Sequence, residues 1–271
     1  MDLTTLDVVK DWLSITSGDD DALLNRLITQ VSGAALNYLQ RPSLTRATYT
    51  ELRDGVNNQR MVLRNWPVVT LTSLSINGTN IPPASSVMSP GYTLATWDGT
   101  SSGIPQELTL RGYTYCRGSS NVQIIYDAGY ALLNQSFTIP SGAAITTQCV
   151  LGTWAQDDGI KTTTGISFTA VAQNISPAQG QYNVVPGLDG AATYTFNAAD
   201  IGTSLLISYS FIPATLENGV IEWVGERYRY KQRIGQRSKS VGGTETTSYN
   251  LAGMPDYIQQ MLDGYKKFLP V

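Results

Sequence analysis

Apolar positions along this chain alternate between the period of a helix and the period of a strand. Near the start, Leu6, Val9 and Leu13 share a face with Trp12 beside them, which predicts a short helix ending by Ile15. Thr4-Thr5-Leu6-Asp7 has the form of a capping box with Thr4 as the cap. The turn at 17–21 feeds a longer helix whose stripe is Leu23, Leu24, Leu27, Ile28, Val31, Ala35, Tyr38 and Leu39, stopped before Pro42. Period two then takes over. Residues 48–50, 60–63, 71–76, 92–97, 107–110 and 122–126 read as strands, interrupted at Trp66-Pro67-Val68, with a type I′ hairpin at Asn77-Gly78. A second set of short strands follows at 137–139, 146–150, 166–171, 182–185, 193–196 and 205–209. Asp157-Asp158-Gly159, 177–180, 188–190 and 199–202 are the turns expected between them.

Helical spacing returns at Pro213, placed as an N1 residue, with Leu216, Val220, Trp223 and Val224 on one side. After Ile234 it stops, and 236–249 is a Ser/Thr/Gly-rich stretch expected to be an extended or mobile arm. Pro255 or Asp256 restarts a helix with Ile258, Met261, Leu262 and Tyr265 on one side. A polar arm carrying a small apolar hook has two uses: docking on a partner, or folding back on its own core.

Composition narrows the chemistry. With 271 residues the chain has room for one large or two modest domains. The net charge of −3 gives no global field that would pull it onto nucleic acid. Histidine is absent, which removes Ser-His-Asp and Cys-His catalysis and the commonest metal ligand. Cys116 and Cys149 form no C-x-x-C and no disulfide framework, as suits a reducing compartment. The acidic turn at 17–21 lacks the order of a calcium loop, and its carboxylates are expected to complement a helix N-terminus. No export signal or membrane-spanning apolar run is expected.

Two other stretches invite a chemical role. Arg227, Arg229, Lys231 and Arg233, followed by Arg237 and Lys239, interleave with Tyr228 and Tyr230. On a helix 227 and 231 lie together, and 229 with 233, but the two pairs are about 200° apart. This suits a helix end contacted from two sides, or the loose lining of a DNA channel, better than sequence-specific DNA binding. Ser238-Lys239-Ser240 lies in the polar arm without a rigid scaffold, so a Ser–Lys nucleophile is not favoured. Trp154, Tyr182 and Tyr194 offer aromatic surface for a sugar, with core packing as the simpler use. No catalytic, cofactor-binding or metal-ligating set emerges, so an enzyme is not expected.

Several fragments resemble the head–tail connector (adaptor, head-completion) proteins of tailed bacteriophages. They are the short helix, acidic turn and longer helix ending in Tyr38-Leu39-Gln40-Arg41-Pro42; Leu63 with Trp66-Pro67-Val68; and the strand ending in Ala128-Gly129-Tyr130. IPATLENGVIEWVGERYRY, SKSVGGTETTSY and MPDYIQQMLDGYKKF complete the set at the C-terminal end. In that family the Ala-Gly-Tyr is soon followed by Ile-Pro and a helix, whereas here roughly 80 residues intervene. Within them, 194–202 resembles the penultimate turn of Ig-like modules. The expected architecture is therefore α+β: a helical connector core with a β-hairpin, β-rich region (1–130 and 213–271) and an inserted all-β Ig-like sandwich (131–212).

The resemblance implies a structural virion protein of the phage neck, assembled in the host cytoplasm, with no cofactor and no membrane. It implies a homo-oligomeric ring of twelve copies between the portal protein and the tail, or a stopper or tail-terminator protein, with packaged double-stranded DNA passing through non-specifically. Tyr249, Met254, Ile258, Met261, Leu262, Tyr265 and Phe268 would engage the portal. Arg227, Arg229, Lys231, Arg233, Arg237 and Lys239 would lie at the ring interface or channel. The alternative is another neck, tail-completion or surface-adhesion protein whose sandwich binds a glycan or a neighbouring virion protein.

Overall fold

The computed structural model describes residues 1–86, 88–96, 105–187, 190–231, 238–241, 245–248 and 253–267, with 96, 105, 238–241 and 245–248 described as backbone only. Two helices open the chain, α1 (Leu6–Leu13) and α2 (Asp21–Leu39). Each ends on a residue in the left-handed region, Ser14 and Gln40, whose N–H turns back to Asp11 and Asn37 carbonyls at 3.1 Å. The cap of α1 is Thr5, one residue later than the capping box predicts, and it makes no side-chain cap bond. Leu3 is fully buried and its N–H donates to Ser32 Oγ at 2.9 Å. That contact draws Thr4 inside, where it is 5% exposed, and away from the helix end.

The strands β1 (Ala47–Gly55), β2 (Arg60–Val62), β3 (Val68–Ile76), β4 (Thr79–Asn80), β5 (Gly91–Thr96), β6 (Pro105–Arg111) and β7 (Gly118–Ala128) follow. They form two antiparallel sheets, ordered β1-β7-β3-β4 and β2-β6-β5. Both sheets enclose one apolar cluster that includes Leu63, Leu74, Leu108, Leu110, Ile124 and Tyr126. The predicted hairpin is present: Asn77 and Gly78 have φ of 50° and 78°, as a type I′ turn requires. At Gly129, after β7, φ is 143° and a Cβ would lie 2.5 Å from the Thr45 carbonyl. Only glycine fits where the chain leaves this sheet.

A second β region begins immediately. It comprises β8 (Ala131–Thr138), β9 (Ala144–Thr147), β10 (Gly152–Thr162), β11 (Thr169–Ala170), β12 (Gln181–Pro186), β13 (Ala192–Phe196) and β14 (Ser204–Pro213). Two sheets, β10-β14-β8 and β11-β12-β13-β9, close on Ile145, Tyr182, Tyr194, Phe196, Leu205 and Ile207. The strands expected at 137–139, 146–150 and 166–171 are found at 131–138, 144–147 and 169–170, and β10 is not among the expected strands. Asp157-Asp158-Gly159 is not a turn between strands but lies within β10, where the register with β14 shifts between Asp157 and Ile160. The bulge re-aims both carboxyls toward hydrogen-bond donors, so residues that ordinarily mark a turn stay inside a strand.

The first and last strands of this region pair, Ala131 opposite Ser210, so the chain enters and leaves at one place. β14 then runs without a loop into α3 (Ala214–Tyr230). Pro213 therefore sits at the cap position rather than at N1. Beyond α3, β15 (Ser238–Val241) pairs antiparallel with β16 (Glu245–Ser248), so part of the expected arm is a hairpin. α4 (Asp256–Asp263) completes the described helices. All four helices share a third apolar cluster, with Leu24, Ile28, Val220, Val224, Ile258 and Leu262 at its centre. The protein is thus α+β with several antiparallel sheets.

Candidate functional site

The terminal helices hold most of the residues that the sequence nominates for assembly. α4 carries an apolar stripe at Ile258, Met261, Leu262 and Tyr265, and the nearest apolar surface is that of α2 and α3 in the same chain. Ile258 and Leu262 are fully buried there, and Met254 and Tyr265 pack partly buried against the same cluster. Gly219 of α3 faces α4: a Cβ there would lie in ordinary contact, 3.6 Å from Met261 and 3.7 Å from Leu262. Polar contacts hold both ends. Trp223 Nε1 and Arg227 Nη2 both donate to the Gly253 carbonyl, at 3.1 and 2.9 Å. Tyr38 donates to Asp263 Oδ1 at 2.5 Å, and the Lys267 N–H donates to the Leu39 carbonyl at 2.9 Å.

Of the seven residues expected to meet a portal, Ile258 and Leu262 thus have their partner inside the chain. A tethered segment competes at a high effective concentration for its own core. Tyr249 and Phe268 lie outside the described residues. Tyr257, which the sequence did not single out, is the exposed aromatic of α4 at 44%.

The cations of α3 divide by side, as their spacing predicts. Arg227 and Lys231 border a groove of about 440 Å³ between α2 and α3, floored by Leu27, Val31, Ala34 and Trp223. Lys231 pairs with Asp20 at 2.9 Å and lies 4.1 Å from the ring centre of Tyr228, which itself donates to Asp20. The Tyr228 hydroxyl, then Lys231, hold the Asp20 carboxyl below its ordinary pKa, and Asp20 raises that of Lys231. Asp20 therefore serves a tertiary contact, and it makes no side-chain cap bond to α2. Arg229 lies on the other side, in a shallow pocket of about 270 Å³ with Trp12, Glu222, Glu226 and Tyr257. Trp12 is 56% exposed. Arg233, Arg237 and the side chain of Lys239 lie outside the described residues. One side of α3 is therefore apolar with a basic rim, and the other is aromatic with two carboxylates and Arg229.

Other polar groups are buried where sequence reasoning found no site. Ser210 Oγ donates to Asp158 Oδ2 at 2.6 Å and accepts from the Arg46 N–H at 2.9 Å, which links the second β region to β1. Tyr182 donates its hydroxyl to Asp157. Burial is the main cause that pushes both carboxyls above the usual range. Glu217, in the first turn of α3, accepts from Thr153 of β10 and is raised by burial as well. These groups join elements and show no catalytic arrangement. Among the described residues no group of three His, Cys, Asp or Glu is placed to hold a metal. Tyr182 and Tyr194 are buried at 2% and 0%, so core packing, not a sugar platform, is their role.

A family model described as head completion protein matches residues 2–166. The match passes the expected boundary at 130 and takes in β8, β9 and β10, whereas the C-terminal fragments lie beyond it. No curated protein matches the chain. A solved structure described as the neck of an empty GTA particle computed with C6 symmetry is 12% identical. It covers 99% of this chain and 92% of that one at a TM-score of 0.31, too low a likeness to carry an argument.

Proposed function

We propose a role that proceeds from one fact: the chain belongs to the head completion protein family. It is a structural protein of the virion neck, not an enzyme, and forms a ring between the portal and the tail. The ring closes the filled head, retains DNA that passes through it non-specifically, and gives the tail its docking face. The family match over residues 2–166 carries this conclusion. The copy number of twelve follows from the sequence resemblance and belongs to the proposal.

The two sides of α3 supply a contact for such a ring. The basic rim of Arg227 and Lys231 over an apolar groove complements the side with Trp12 and Tyr257, where Glu222 and Glu226 outnumber Arg229. A contact between unlike faces of identical subunits is heterologous and closes when its rotation divides a full turn. Portal engagement then falls to the region around the hairpin, with the buried part of α4 holding that region in place. The region 131–212 is an Ig-like module that projects from the ring. Its separate apolar cluster and the pairing of its first and last strands support this.

Native mass spectrometry of the full-length protein with and without its portal tests the role. Symmetric multiples on the portal are expected. Charge reversal at Arg227 and Lys231 is expected to prevent ring formation, and reversal at Glu222 and Glu226 in the same chain to restore it. Full-length protein that stays folded and ignores the portal would sink the assignment.

A further inference from the structure

Two exposed aromatic side chains border one pocket of the helical cluster. Trp12 comes from α1 and Tyr257 from α4, and α3 contributes Glu222, Gly225, Glu226 and Arg229. An indole and a phenol left in water on neighbouring helices have the character of interface anchors. Gly225 is buried inside α3, although glycine in a helix interior is less favourable than alanine. A Cβ there would lie 3.9 Å from Cδ1 and Nε1 of Trp12. The indole thus lies over the glycine, and a side chain larger than alanine would take up pocket space.

The charges of the pocket leave one negative in excess, two carboxylates against Arg229. Their field reaches the aromatic rim. Burial first, then Glu226 and Glu222, raise the Tyr257 hydroxyl above its ordinary pKa, and Arg229 opposes them. Exposed rings beside carboxylates suit a flat cation. A guanidinium stacks on an indole face and forks to a carboxylate, whereas an ammonium has no such fork and an anion is repelled.

We propose that this pocket receives the guanidinium of Arg227 from a second copy of the chain. The inference rests on the proposed ring, in which the two sides of α3 meet across each contact. Arg227 stands on the other side, is exposed, and borders the groove there. Its Nη2 donates to the Gly253 carbonyl, and a guanidinium has five N–H donors to share. Lys231 is the poorer candidate, because Asp20 and the Tyr228 ring already engage it.

The test follows the Trp12 indole N–H by NMR in the full-length protein, below the concentration at which rings form. Its signal is identified by its loss in Trp12→Phe. Acetyl-arginine amide is expected to shift that signal and to saturate at roughly millimolar concentration. Acetyl-citrulline amide, of the same shape without the charge, is expected to leave it in place. Glu222→Gln and Glu226→Gln should each weaken the arginine probe about threefold. Equal shifts from both probes, or none, overturn the pocket. Native mass spectrometry then reads assembly. Arg227→Gln and Glu226→Gln should each raise the concentration needed for rings, and the double variant should be no worse than the poorer single. Additive effects overturn Arg227 as the occupant. A folded chain that forms no ring on its portal defeats the proposed function, while the probe titration still judges the pocket.

Discussion

The helical cluster and the second β region place most of their charged residues differently, with the buried Glu217 of α3 as the exception on the helical side. Around the helices the ionic contacts lie at the surface: Asp20 meets Lys231 at 2.9 Å with both side chains about a third exposed. In the second β region Asp157 and Asp158 are drawn inside β10 and satisfied by Tyr182 and Ser210. A helix points charged side chains outward by its period, so its polar face needs no internal partners. A strand bulge can turn polar residues into a core, but only where a neighbouring strand brings donors to meet them. In both regions the polar partners come from far along the chain; around the helices they meet at the surface, and in the second β region they meet inside paired strands.

The largest expected effect concerns the buried part of α4. Leu262→Ala should cost about 2–5 kcal/mol in chemical denaturation of the isolated protein, as for other buried leucines. No loss would mean that α4 is not part of the core and is free to serve a partner. Next is Tyr182→Phe, which leaves the buried Asp157 short of a donor and should cost about 1–3 kcal/mol. An unchanged denaturation midpoint would remove the contrast between the two regions.

A smaller effect is a pH dependence. Burial raises Asp157 and Asp158 in the folded state, against donors from Tyr182, Ser210 and Gly159 and the charge of Arg46. A raised carboxyl contributes stability that is full below its unfolded pKa and is lost as pH rises through its folded pKa. Asp158→Asn should therefore flatten the loss of stability between mild acid and neutrality, by on the order of 1 kcal/mol or less. A steeper profile in that variant would reverse the assigned direction. Smallest of all is Lys231→Met. The Asp20 pair is exposed, so its loss should shift the melting temperature slightly at low salt and not at high salt. A large, salt-independent shift would place this ion pair with the buried groups instead.

The helices were legible because period 3.6 is a local property. Leu24, Ile28, Val31 and Leu39 are buried as the stripe requires, and Asn77-Gly78 fixes its turn by backbone sterics alone. The division of Arg227 and Lys231 from Arg229 also follows from angle arithmetic, and the two grooves bear it out. The hook was legible as an amphipathic helix but not as to its partner. Ile258 and Leu262 suit any apolar groove, and only tertiary structure shows that the chain's own groove is within reach. Asp157-Asp158-Gly159 misled because those residues mark turns in most settings. The donors that keep them in β10 come from Tyr182 and Ser210, remote in sequence.

By itself, then, the sequence determined which stretches carry a helical period, the lack of histidine chemistry, and the fragments that resemble head completion proteins. Those are properties of spacing and residue type, set by steric and solvation preferences over a few neighbouring positions. Tertiary structure decided which apolar faces meet and which carboxyls lose their water. Each of these depends on groups distant in the chain arriving at one point. Periodicity records what a segment prefers and carries no record of what will lie opposite it.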